Sequence, residues 1–177
     1  MPVRRLLFWG LLLLWWPGRA QLYLEPELQA GLNVPNYLQF PRSGVRTAAA
    51  FSVAWRPAAA WARHYRRPYV GVQLLTADLG NRSRFGWEWS TVPFLEFGAL
   101  AHRRRPGHWR LKLGLGASYI TRPHDPTDNP GNLVIGSRAN WTFQAFLYRR
   151  LWHNDRWTVR AGGGYTHHSN AHTQLPN

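Results

Sequence analysis

From Trp109 to Tyr119 the chain alternates without a break. Trp109, Leu111, Leu113, Leu115, Ala117 and Tyr119 share one parity, and Arg110, Lys112, Gly114, Gly116 and Ser118 share the other. Successive side chains of an extended strand point to opposite faces, so this segment has one oily side and one wet side. The pattern recurs. In Leu133 to Leu147, the residues Leu133, Ile135, Ala139, Trp141, Phe143, Ala145 and Leu147 alternate with Gly136, Arg138, Asn140, Thr142 and Gln144. Phe85 to Ala99 sets Trp87, Trp89, Leu95 and Phe97 against Glu88, Ser90, Glu96 and Gly98, and Trp157 to Tyr165 sets Trp157, Val159, Ala161 and Tyr165 against Thr158, Arg160, Gly162 and Gly164. Weaker strands cover Leu22 to Leu32, Arg46 to Trp55 and Tyr69 to Leu79, with Gly, Pro, Asn and Asp between the segments.

Alternation alone also suits a soluble sandwich. Three features favour a membrane barrel. Trp and Tyr sit at strand ends, as interfacial girdles do; the polar face mixes Arg, Lys, Glu, Asn and Gln with small Gly, as a narrow filled lumen would; and the N-terminus reads as an export signal. Bacterial single-chain barrels close with an even number of strands. The expected fold is therefore all-β: an antiparallel eight-stranded outer-membrane β-barrel with about seven strands present, occupying residues 21–177 and incomplete at its C-terminus. An open barrel would leave unpaired backbone groups facing lipid, which is costly.

The leader reading rests on Met1 to Ala20. Arg4 and Arg5 supply a basic start, Leu6 to Trp16 an apolar run of 11 residues, Pro17 a break, and Gly18 and Ala20 small residues for a signal peptidase. A spanning helix needs about 20 apolar residues, so the run is too short to stay as an anchor. With the N-terminus periplasmic, outer loops fall near Asn33–Gly44, Gly80–Arg84 and Thr121–Asn132. Inner turns fall near Arg56–Pro68, Ala101–His108 and Trp152–Asp155. The seventh strand then ends at the cell exterior.

Composition narrows the chemistry. With no Cys there is neither a disulfide framework nor a thiolate metal site. The net charge is +14, carried by Arg except for Lys112. Guanidinium forks match phosphate, so nucleic acid, anionic lipid and lipopolysaccharide all fit, as does a plain codon bias. An exported barrel meets lipid and not nucleic acid.

The seventh strand leads into Gly164-Tyr165-Thr166-His167-His168-Ser169-Asn170-Ala171. His167 and Ser169 are two apart and share the parity of Trp157, Val159 and Tyr165, the oily side. Polar groups facing hydrocarbon cost free energy unless satisfied or used. A nucleophile–base pair uses them: His167 takes the Ser169 proton and Ser169 attacks an ester carbonyl of a lipid lying against the wall. The competing reading ends strand pairing near Thr166 and leaves these as loop residues in water. Metal binding by His167, His168 and His172 is disfavoured, because neighbouring strand residues face opposite ways; neither a metal nor a cofactor is expected. Arg103-Arg104-Arg105 reads as a solvated inner turn. Asn81-Arg82-Ser83 and Asn140-Trp141-Thr142 match a glycosylation pattern that a bacterial barrel would not use. Gly162-Gly163-Gly164 lacks the Lys and helix of a phosphate loop and reads as close packing or a groove.

His167-His168-Ser169-Asn170, with Pro176-Asn177 following, resembles the signature of the PagL-type lipid A deacylases, also called acyloxyacyl hydrolases. Asp125 to Asn140 is similar to that family's outer loop and sixth strand, and Tyr69-Val70-Gly71-Val72 also resembles it. The resemblance implies an eight-stranded outer-membrane barrel that hydrolyses the ester-linked 3-hydroxyacyl chain of lipid A, with lipopolysaccharide as substrate and the site toward the outer leaflet. It implies His167 as general base, Ser169 as nucleophile and Asn177 as oxyanion donor, with Asn170 beside it as an oxyanion or substrate contact. It also implies an acidic triad member past the motif. Outer-membrane phospholipase A is the alternative, since it too carries a Tyr-x-His-x-Ser-Asn stretch; there Gly follows the Asn where this chain has Ala171, and calcium and a homodimer would be expected. A non-catalytic adhesin or structural barrel is the third reading.

Overall fold

The alternating segments assemble into one sheet. The structure, a computed structural model, describes residues 22–35, 40–99 and 108–174. The leader over 1–20, the Arg103-Arg104-Arg105 run, Pro176 and Asn177 lie outside the described residues. The strands are β1 (Leu22–Gly31), β2 (Arg46–Trp55), β3 (Tyr69–Asp78), β4 (Trp87–Ala99), β5 (Trp109–Ile120), β6 (Ala139–His153) and β7 (Thr158–Ser169), with a short helix α1 (Ala60–His64) between β2 and β3. Each strand pairs antiparallel with its neighbours in chain order, β1 through β7. The sheet is an all-β meander that curls into an open barrel, with β1 and β7 as its edges. A cleft of about 700 Å³ lies between them, lined by β1 from Glu27 and by β7 from Arg160 to Ser169.

The curl turns the polar parity inward. Gln73, Glu88, Lys112, Thr142 and Gln144 are all but fully buried, while Phe51, Leu74, Trp89, Leu115, Trp141, Phe143 and Tyr165 are exposed on the convex face. Hydrophobic residues are thus outside and charges inside, the reverse of a soluble sandwich. The buried charges are paired across the lumen. Arg160 of β7 bridges Glu25 of β1 and lies 2.8 Å from Glu96 of β4, which also binds Arg110; Lys112 reaches Glu27 at 3.6 Å, and the Tyr148 hydroxyl donates to Glu27 at 2.6 Å. These contacts draw β6 and β7 toward β1 from inside. Toward the Ser169 end the lumen becomes apolar: Ala48, Ala50, Leu75, Ala77, Leu79, Phe85, Ile120 and Ile135 form one cluster under the loops.

Three expectations shift. The sixth strand begins at Ala139, not Leu133. The Asn132 carboxamide accepts the Val134 and Ile135 amides and donates to the Arg84 and Arg122 carbonyls, so 132–135 folds as a loop whose Ile135 packs into the apolar cluster. Local side-chain bonds to backbone have outcompeted the ladder there. The turn expected over Arg56–Pro68 contains α1. The seventh strand runs past Thr166: the pairs Phe143↔His167, Thr142↔His168 and Trp141↔Ser169 extend the ladder.

The glycine triplet acts through close approach. A Cβ on Gly162 would sit 2.2 Å from the Leu147 carbonyl oxygen and 2.9 Å from the Tyr148 ring, and one on Gly164 2.3 Å from the Ala145 carbonyl oxygen and 2.5 Å from the Phe146 ring. Those two rings lie stacked, centroids 5.9 Å apart, over the bare backbone of β7. Gly163, on the opposite parity, faces open space.

Candidate active site

The last four residues of β7 divide by parity. His167 and Ser169 fall on the convex face in line with Tyr165, opposite Phe143 and Trp141 of β6. Strand pairing therefore holds both, and their directions follow from a ladder rather than from a loop. Exposed Trp141 and Phe143, with Tyr119 of β5 and Trp89 of β4 stacked at 6.2 Å, make an apolar wall beside them. A shallow groove of about 710 Å³ crosses that face over small residues, Ala49, Thr91 and Ala117, bounded by Phe51, Leu74, Trp89 and Tyr119.

His167 stacks on the Tyr165 ring at 6.2 Å, and the Tyr165 hydroxyl lies 3.4 Å from its Nδ1. The Ser169 Oγ accepts the Ala171 amide at 3.1 Å, which leaves its own hydrogen free to donate. Among the described residues no hydrogen bond joins His167 to Ser169. Side chains two apart on a strand share a face, with their Cα atoms roughly 6–7 Å apart.

Asn170 is buried and belongs to the turn that ends β7. Its Oδ1 accepts the His172 amide at 3.0 Å, its Nδ2 donates to the Gln174 carbonyl, and its own carbonyl accepts the Thr173 amide at 3.1 Å and hydroxyl at 2.7 Å. Ala171 and His172 follow with φ of 53° and 61°, left-handed values that need such a local scaffold. The structure thus places Asn170 in the turn and not beside Ser169 on the convex face. Asn177 lies outside the described residues.

His168, for which the sequence disfavours a shared metal site with His167, points into the lumen among three polar neighbours. Its Nδ1 lies 3.1 Å from the Thr142 hydroxyl and 3.4 Å from that of Ser118; its Nε2 lies 3.4 Å from Glu88. Glu88 is fully buried and accepts Arg46 at 3.0 Å. One side chain therefore ties the end of an edge strand to β4, β5 and β6, and through Glu88 to β2. The signal for it was present: His168 and Glu88 share the inward parity of their strands. Among the described residues no group of three or more His, Asp or Glu side chains is placed to share a metal ion.

The loop above this end is fastened by two buried carboxamides. Asn129 donates to the Arg84 carbonyl at 2.8 Å and the Pro123 carbonyl at 2.9 Å, and Asn132 to those of Arg84 and Arg122 at 3.0 and 2.8 Å. This joins the β3–β4 and β5–β6 connections into one rigid rim.

An antiparallel sheet with its charges inside and its aromatics outside defines a protein of the β-barrel class. More narrowly, the chain belongs to the family described as Lipid A 3-O-deacylase (PagL), which matches residues 45–177 and so takes in six of the seven strands and the His167-x-Ser169 segment. No curated protein and no solved structure matches the chain.

Proposed function

We propose that the chain is an outer-membrane serine esterase that removes the ester-linked 3-hydroxyacyl chain of lipid A, with lipopolysaccharide as substrate. Membership of a deacylase family supports the reaction class. The observation that carries the residue assignment is the strand-held His167-x-Ser169 pair on the exposed apolar face, where lipid acyl chains would lie. Neutral His167 accepts the Ser169 proton as Oγ attacks the ester carbonyl. The tetrahedral oxyanion collapses, the sugar alkoxide leaves with the imidazolium proton, and an acyl-enzyme forms. Water, deprotonated by His167, then releases the 3-hydroxy fatty acid and restores Ser169. Asn177 keeps the proposed role of oxyanion donor; Asn170 would share it only by releasing Gln174.

A leader over 1–20 would deliver the barrel to the outer membrane, and with the N-terminus periplasmic the end of β7 would bring the site to the outer leaflet. The test is release of 3-hydroxy fatty acid from purified lipopolysaccharide, followed by mass spectrometry, beside a phospholipid substrate. Release from lipopolysaccharide that disappears with Ser169→Ala is the expected result. Release of phospholipid acyl chains instead would transfer the chain to the phospholipase reading, and full activity of Ser169→Ala would remove Ser169 from the mechanism.

A further inference from the structure

The rim opposite Ser169 carries a feature that hydrolysis does not use. The β2–β3 connection, residues 56–68, leaves β2 at Trp55 and re-enters at Tyr69, the far end of the sheet from Trp141 and Ser169. Within it α1 turns one side chain, Ala62, into the protein. Trp61 and Tyr65, four apart and so on one helix face, are 45% and 58% exposed. Arg63, Arg66 and Arg67 are exposed as well. Arg66 and Arg67 have φ of 60° and 55°. Two consecutive left-handed residues suit Gly or Asn, and a long L side chain there is strained. At Arg66 the left-handed value belongs to the turn that ends α1, where the Arg66 and Arg67 amides donate to the Arg63 and Ala62 carbonyls, so the backbone holds both long side chains outward.

Among the described residues none of these three guanidinium groups has a carboxylate partner. All eight acidic residues of the chain are among the described residues, and the ion pairs they make go to other cations. The same rim holds Arg56 over the Tyr69 ring at 4.5 Å and Arg149 over Trp109 at 5.8 Å. At the opposite rim, by contrast, exposed Arg82 is paired with Asp78 at 2.6 Å.

We propose that this connection is a head-group site for anionic phospholipid, Trp61 and Tyr65 entering the boundary of the leaflet and Arg63, Arg66 and Arg67 meeting its phosphates. The apolar convex face ends at this rim, so the arginines stand where hydrocarbon gives way to head groups. Trp and Tyr favour that boundary, and a guanidinium fork matches a phosphate diester. The proposal rests on the membrane placement above and not on hydrolysis.

The chain has no Cys, so Ala60→Cys gives a single attachment point for an environment-sensitive dye. The labelled protein is inserted into nanodiscs of phosphatidylcholine, with or without phosphatidylglycerol. In the anionic discs the dye should shift to the blue and be quenched by a head-group nitroxide. The preference should weaken about fivefold per arginine removed in Arg63→Gln, Arg66→Gln and Arg67→Gln, and fall with salt. Arg66→Gly and Arg67→Gly relieve the backbone, so they should keep or raise thermal stability while losing the lipid preference, which a merely structural role would not produce. Equal dye response in both discs, an unchanged preference in the glycine variants, or a stronger response to an oligonucleotide than to the anionic lipid overturns the proposal. Failure of the protein to enter either disc overturns the membrane placement itself.

Discussion

Two side chains one residue apart on β7, His168 and Ser169, live in opposite worlds. The inward imidazole meets Glu88, Thr142 and Ser118 and closes a chain of contacts over several strands. The outward hydroxyl accepts one amide from the next turn. The pleat makes this division: one parity can be spent on holding the strand while the other stays free to react. Among the described residues β7 is laddered to β6 alone, so the inward peg adds a second hold where the outward pair must be placed.

The sharpest way to break this division is Ser169→Ala. Hydrolysis of lipopolysaccharide should fall on the order of 10³-fold or more, because nucleophile and base act as a unit. Thermal unfolding in detergent should move by about 1 kcal/mol or less, the worth of the one hydrogen bond that Oγ accepts from the Ala171 amide. Adding His167→Ala to that variant should cost almost nothing further. A large stability loss from Ser169→Ala would show that the outward parity is structural too.

The inward member is tested by Glu88→Gln. This leaves Arg46 and His168 without their shared carboxylate in a buried layer. Breaking a buried pair costs about 3–5 kcal/mol, and side-chain exposures of 14% and 19% for Arg46 and His168 bring the expectation to about 3 kcal/mol. Activity should fall with the unfolding midpoint and recover on cooling, whereas Ser169→Ala should stay inactive at every temperature.

Most of this division is legible in the sequence because a period of two fixes parity. Strict alternation from Trp109 to Tyr119 sets which face is wet, and counting on from Trp157 puts His167 and Ser169 outward. What alternation does not carry is where it stops. Leu133 and Ile135 hold the period, yet Asn132 captures the backbone and Ile135 packs under the loops instead. The Arg56–Pro68 turn hid α1, whose five residues are too few for a helical period to emerge. The lumen partners were invisible for another reason: Arg160 meets Glu25 and Tyr148 meets Glu27 over more than a hundred positions of chain, and only curvature brings them together.

The glycines of β7 sharpen the comparison without altering any charge. Gly162→Ala drives a methyl into the Leu147 carbonyl and the Tyr148 ring and should cost about 2 kcal/mol by thermal unfolding, while Gly163→Ala, facing open space, should be neutral or slightly stabilising. Equal effects at the two positions would mean that the rings do not lie on the strand as described.

The smallest effect belongs to Asp125, an exposed carboxylate on the rim above the site and so the counterpart of buried Glu88. The Asp128 and Thr127 amides, each 2.8 Å from its Oδ1, hold its pKa below the usual carboxylate range. A carboxyl with a depressed pKa stabilises the folded loop above its ordinary pKa and loses that contribution as pH falls through the depressed value. Protection of the Thr127 and Asp128 amides, measured as exchange relative to a free amide at the same pH, should therefore be flat from neutral pH down to the ordinary carboxylate range and fall below it. Asp125→Asn should flatten the acid-side change while leaving hydrolysis within about twofold, because Asn129 and Asn132 fasten the rim without it. A tenfold loss of activity in that variant would place the loop inside the reaction, and the boundary between holding and reacting parts would then run through the rim as well as along β7.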